Sequence, residues 1–173
     1  MKTVTVFGSS RPAAGSDAYE TARRLGAALA RAGFIVASGG YGGVMEGVSR
    51  GAREAGGKTV GVTAAVFRSV ANAWVEEEIR VATWQERLLK LVELGAGYVA
   101  LPGGTGTLVE LAVVWEWVNK GFLETRPLVV LGDFWLPVVE AIPSAELRLN
   151  PIFRAATFEE AVAHLRQRLG EKA

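Results

Sequence analysis

The sequence predicts an α/β fold, a doubly wound, Rossmann-like parallel sheet with helices on both faces. Two patterns predict it. Short apolar runs alternate with segments of helical period from one end of the chain to the other, the arrangement of βαβ units. Three of those runs end in glycine- or hydroxyl-rich turns, and a sheet of this kind binds ligands outside the carboxyl ends of its strands. Length sets the domain count: 173 residues, 50% of them hydrophobic, suffice for one buried core and not for two ordinary domains, so a single domain over 1–173 is expected.

The first strand, 2–8, centres on Thr3-Val4-Thr5-Val6-Phe7, β-branched and aromatic residues suited to a pleated surface, and runs into Gly8-Ser9-Ser10-Arg11. A helix over 16–32 leads to a second strand over 34–38, which ends in Ser38-Gly39-Gly40-Tyr41-Gly42-Gly43. Helix 44–56 and strand 58–62 follow. Residues 64–83 fit the alternation least well and read as a long connection holding one short strand around 79–82. Its acidic run, Glu76-Glu77-Glu78, suits either a solvated loop face or a gate for substrate. Helix 84–95 then feeds strand 97–101, which ends in Pro102-Gly103-Gly104-Thr105-Gly106-Thr107 and opens a helix over 107–120. Strand 127–131, helix 135–142, a short sixth strand over 152–156 and helix 158–169 complete the chain.

Composition removes several classes of function. With 19 basic and 18 acidic residues the formal charge is +1, so no broad field draws the protein to nucleic acid or to an anionic membrane, and any anion must be held locally. The absence of cysteine and the single histidine, His164, exclude disulfides, thiolate nucleophiles and a zinc site of the usual kind, so no metal is expected. No apolar run approaches the roughly 20 residues that span a bilayer, and a cytoplasmic protein is expected.

The stretch from Leu101 to Glu110 is the most informative. Glycines let the backbone approach an anion and turn its N–H groups inward, and a helix start adds a partial positive charge and unpaired donors. A phosphorylated ligand is the first expectation, held by the backbone of Gly103, Gly104, Thr105, Gly106 and Thr107 with the Thr107 hydroxyl. Ser9, Ser10, Gly39 and Gly40, in the loops after the first two strands, fall on the same rim. Neither glycine loop has the lysine of a P-loop or a clean dinucleotide fingerprint, so an ATPase is disfavoured.

Glu110 supports two readings. Thr107-Leu108-Val109-Glu110 fits a capping box, in which Glu at N3 reaches back to the cap. Alternatively, a carboxylate this close to a bound phosphate is useful where positive charge develops, as it does when a sugar–base bond is cleaved. Arg87 also stands out, because a cation in the first turn of a helix opposes the macrodipole. Glu86, Glu110 or an anionic substrate would account for it.

These residues resemble those of the Lonely guy family of phosphoribohydrolases, also filed as lysine decarboxylase-like proteins. The family's Pro-Gly-Gly-x-Gly-Thr-x-x-Glu motif matches Pro102 to Glu110 at every fixed position, and its catalytic arginine precedes that proline by the spacing of Arg87. Weaker similarity spans residues 3–142. It includes Val6-Phe7-Gly8-Ser9-Ser10, the run from Ser38 to Gly47 with Met45, and Trp117, Gly121 and Arg126-Pro127. The chain departs from the family pattern at Leu88, at Gly95-Ala96-Gly97 and at Tyr41.

The resemblance implies a nucleotide-binding domain that hydrolyses a nucleoside 5′-monophosphate, adenine or cytokinin-type, to the free base and ribose 5-phosphate. It makes Arg87 and Glu110 the catalytic pair and adds Met45 to the nucleotide site. No cofactor is implied, and none of the five lysines has a recognisable Schiff-base setting. A rival reading keeps the cradle without turnover, as a carrier of a phosphorylated ligand such as a nucleotide or the molybdenum cofactor. The helix over 107–120 is apolar on more than one face, which together with the resemblance predicts a homodimer. Trp74, Trp84 and Trp135 are candidates for base stacking or for core filling.

Overall fold

A computed structural model describes residues 1–123 and 126–170; the last three positions of the expected 1–173 domain lie outside the described residues. Seven strands form one sheet: β1 (Thr3–Phe7), β2 (Ile35–Ser38), β3 (Thr59–Ala64), β4 (Glu77–Val81), β5 (Gly97–Ala100), β6 (Leu128–Leu131) and β7 (Ile152–Ala155). Every pairing is parallel and the order is β4-β3-β2-β1-β5-β6-β7. Strand order therefore reverses at β1, between β2 on one side and β5 on the other.

The alternation of side chains along each strand explains why helices cover both faces. Val4 and Val6 of β1, Val99 of β5 and Val129 of β6 point into one core, shared with α1 (Asp17–Arg31), α2 (Val44–Glu54) and α6 (Phe158–Gly170). Phe7, Tyr98, Ala100, Leu128 and Val130 point into the other, shared with α3 (Trp84–Leu94) and α4 (Thr105–Asn119). Trp135 joins this second core and donates its indole N–H to the Leu101 carbonyl at 2.9 Å, which fixes the end of β5.

Local signals set the helix starts. The Ser16 hydroxyl accepts from Tyr19 N–H at the head of α1, and the Thr83 hydroxyl accepts from Glu86 N–H at 3.2 Å at the head of α3. Gly43, the N-cap of α2, has φ of +67°, and a Cβ there would strike the Ser9 and Ser10 backbone, so only glycine fits.

Three elements differ from expectation. The acidic run enters β4, an exposed edge strand, where Glu78 bonds the Thr63 hydroxyl and Glu76 pairs with Arg53 at 2.9 Å. Helix α5 is only Leu136–Val139, followed by a 3-10 turn at Ser144–Glu146 rather than a longer helix. Helix α4 begins at Thr105, two residues earlier than expected, with consequences for Glu110. Among the described residues no helix is long and apolar enough to cross a membrane.

Candidate active site at the strand-order reversal

A cavity of about 500 Å³ opens at the carboxyl edge of the sheet where the order reverses. Backbone hydrogen bonds bind three loops around it. Ser9 N–H donates to the Pro102 carbonyl at 3.2 Å, and the Ser9 carbonyl accepts from Val44 N–H at 2.8 Å. The loop after β1 is thereby fastened both to the loop after β5 and to the start of α2. Ser9, Ser10, Gly104, Thr105, Gly106 and Thr107 all line the cavity.

The N-cap of α4 is Gly104, which has no side chain to cap the helix. Among the described residues the N–H groups of Thr105, Gly106 and Thr107 have no hydrogen-bond partner. Unpaired donors at the positive end of a 15-residue helix are the chemistry that suits an anion. Gly103 lies beneath it, so close to the Thr107 hydroxyl that a Cβ would collide, whereas Cβ atoms at Gly104 and Gly106 would meet open space.

Because α4 starts at Thr105, Glu110 lies in the second turn and not the first. Thr107 is inside the helix, so the capping-box reading fails. The Glu110 side chain is 13% exposed, accepts no hydrogen bond among the described residues and has its nearest cation, Arg87 Nη1, at 3.7 Å. Burial pushes its pKa up to about 7 against the downward pull of Arg87.

Arg87, the fourth residue of α3, is 7% exposed. Its Nε donates to the Val62 carbonyl at 2.8 Å and its Nη2 to the Gly39 carbonyl at 3.1 Å, with Met45 Sδ at 3.7 Å. The guanidinium carbon stands 5.3 Å from the Tyr41 ring centre and 5.9 Å from that of Phe67. Burial lowers its pKa, yet a guanidinium remains cationic. Carbonyls hold two edges and rings one face, so the Nη1 edge is directed to Glu110.

Residues 1–161 match the sequence model of the SLOG cluster4 family. The chain belongs to that family. One relative, the cytokinin riboside 5′-monophosphate phosphoribohydrolase of Rhodococcoides fascians, is 31% identical over an alignment covering 95% of this chain and 89% of the relative. A structural-genomics target solved by X-ray diffraction is 29% identical, with a TM-score of 0.81, covering 96% of this chain and 99% of its own. The molybdenum cofactor carrier protein of Chlamydomonas reinhardtii is 26% identical, with a TM-score of 0.74, covering 99% of this chain and 100% of its own.

Within this SLOG fold the sequence-predicted residues fall into two groups. Arg87, Glu110, Met45, Ser9, Ser10 and the cradle from Gly104 to Thr107 meet in the cavity. Gly39, Gly40 and Gly103 do not line it. Gly39 is glycine because the Arg87 guanidinium occupies the space of a Cβ, and Gly40 has φ of +76° with its carbonyl taken by Asn72. Both shape the site from behind its lining. Nor do Glu76, Glu77 and Glu78 reach the cavity, so the gate reading is dropped.

Of the three tryptophans only Trp84 lines the cavity; Trp135 is core, and Trp74 stacks beneath Arg50. Sequence reasoning missed Arg11, Phe67 and Ser69, which also line it. Phe67 and Ser69 lie in the connection after β3, which carries no periodic or motif signal.

Proposed function

We propose that this chain hydrolyses the N-glycosidic bond of a nucleoside 5′-monophosphate, AMP or a cytokinin-type nucleotide, to the free base and ribose 5-phosphate. The observation that carries this reading is the meeting of a phosphate-sized cradle and a buried Arg87–Glu110 pair in one cavity. The activity named for the Rhodococcoides fascians relative supports it.

The 5′-phosphate takes the free N–H groups of Thr105, Gly106 and Thr107, which fixes the ribose over α4. As the C1′–N bond lengthens, its electron pair leaves with the base and positive charge grows on the ribose. The Glu110 carboxylate stabilises that charge and orients the water that adds to C1′, as carboxylates do in sugar-bond hydrolysis, and the proton this water loses passes through solvent to the departing base nitrogen. Arg87 orders Glu110 and presents its free edge to substrate oxygens.

The active unit is a cytoplasmic homodimer in this reading. An apolar groove of about 310 Å³ along α4, lined by Leu108, Leu111, Trp115, Val138, Ile142 and Leu147, supports a second copy as its occupant. The Trp115 indole N–H, buried without an acceptor among the described residues, lies there too.

A carrier reading draws on the likeness to the molybdenum cofactor carrier protein. Chromatography of a nucleoside monophosphate panel incubated with the protein separates the two. Released base establishes the hydrolase; binding without release from any member establishes the carrier.

A further inference from the structure

We infer that Phe67 and Trp84 form the base-recognition wall of the cavity and hold the base by stacking. This rests on the nucleotide reading above and assigns the end of the cavity that it leaves open.

Direction comes from topology. The phosphate cradle follows β5, Glu110 lies in the next turn of α4, and Arg87, bonded to the Val62 and Gly39 carbonyls, stands with Tyr41 and Phe67 over the ends of β2 and β3. From β5 through β1 and β2 to β3 is three strand steps, roughly 14 Å. A phosphate, a ribose and a base laid end to end cover that span in the same order.

The far end is built for stacking. Phe67 is 45% exposed and Trp84 is 37% exposed, although both line a cavity. Large aromatic surfaces left bare at a cavity mouth suit a flat apolar face. Phe67 is also held in place. Its ring meets Tyr41 edge-on at 5.8 Å, and the Tyr41 hydroxyl is tied to the Ala64 N–H at 2.9 Å. The Ser69 hydroxyl donates to the Phe67 carbonyl at 3.1 Å, and Asn72 Nδ2 fastens the same connection to the Gly40 and Tyr41 carbonyls at 3.0 and 2.9 Å.

Hydrogen-bond readout is sparse. Among the described residues no Asn, Gln or Asp side chain lines the cavity, and Glu110 is its sole acid. The hydroxyls nearest Phe67 are already engaged, Ser69 with the Phe67 carbonyl and Tyr41 with the Ala64 N–H, which leaves the aromatic faces as the main contact for a base at that end.

Calorimetric titration with AMP and ribose 5-phosphate, carried out in a Glu110→Gln background that holds AMP without turning it over, tests the wall. In that background AMP should bind about tenfold more tightly than ribose 5-phosphate, which lacks the base. Phe67→Ala, and Phe67→Leu, which keeps apolar cover over Arg87, should weaken AMP about tenfold and leave ribose 5-phosphate unchanged. Trp84→Ala should do the same. Equal affinity of the Glu110→Gln protein for AMP and ribose 5-phosphate would overturn the inference. So would a folded Phe67→Leu protein that keeps full AMP affinity, or that loses AMP and ribose 5-phosphate alike. Failure to release base would overturn the hydrolase reading alone, since these affinities are measured without it.

Discussion

Arg87 Nη1 and Glu110 Oε1 lie 3.7 Å apart, close enough to pair as charges and too far to share a hydrogen bond. Each comes from a different helix, α3 and α4, so the gap is set by how two helices pack on one sheet face. Arg87 spends its other edges on the Val62 and Gly39 carbonyls. Glu110 has no such anchors, and its charge state responds to whatever enters between them.

The first consequence is a pH profile. With the Glu110 pKa near 7, the ionised form needed to stabilise a cationic ribose is absent at pH 5 and dominant at pH 8. Accordingly kcat/KM should rise with pH through a midpoint near 7. A bound phosphate adds negative charge beside Glu110, so the midpoint in kcat should lie higher than that in kcat/KM. A profile flat from pH 5 to 8 would remove Glu110 from the chemistry.

Stability should carry the opposite dependence. The folded pKa, about 7, exceeds the ordinary 4.5, so the folded state keeps a proton that the unfolded chain releases, and stability falls as pH rises between those values. That shift corresponds to at most about 3 kcal/mol, or roughly 5–10 °C in melting temperature for a chain of this size. Glu110→Gln cannot ionise and should lose this slope. The melting-temperature difference, variant minus wild type, should therefore increase from pH 5 to pH 8, and turnover should fall far more than nucleotide affinity.

Arg87→Lys keeps the charge and discards the fork. A lysine cannot serve the Val62 and Gly39 carbonyls while also facing Glu110. Leaving a buried carbonyl unpaired costs about 1–3 kcal/mol, visible in chemical denaturation. Misplacing the cation should lower kcat about 100-fold. A Lys variant with near wild-type kcat would show that charge alone matters.

Association is testable directly. Light scattering at micromolar concentration should report a dimer, and Leu108→Arg, which places a charge in the α4 groove, should shift it to monomer. A monomeric wild type would contradict the dimer and leave the groove unexplained.

Most of the sheet was legible because parallel strands buried on both faces are apolar throughout, as in Leu128–Leu131, and each is followed by a periodic helix. The Arg87–Glu110 pair was legible because a contiguous motif fixes one member and a constant spacing the other. The start of α4 was not. Glycine is a poor helix former in helix interiors, so Thr105-Gly106 reads as loop, yet in a first turn, where N–H groups are free in any case, that cost is small. Thr107-Leu108-Val109-Glu110 then imitates a cap it does not form. Of the aromatic wall, Trp84 was among the stacking candidates, whereas Phe67 was hidden because it reaches the site through contacts distant in sequence, such as Asn72 with Gly40.

Two glycines of the cradle should respond in opposite ways. Gly103→Ala drives a methyl into the Thr107 hydroxyl, an overpacking that costs about 1–3 kcal/mol and displaces the helix start. Stability and nucleotide affinity should fall together. At Gly106 the added methyl meets open space, and alanine in place of a first-turn glycine stabilises by at most about 0.5 kcal/mol, below the helix-interior value. That methyl stands in the cavity beside unpaired N–H groups, so Gly106→Ala should melt higher while binding ribose 5-phosphate about tenfold more weakly. If both variants lost stability and affinity in parallel, the cradle would be a packing device with no anion to hold. Divergence between them marks Gly106 as glycine for the ligand and Gly103 as glycine for the fold.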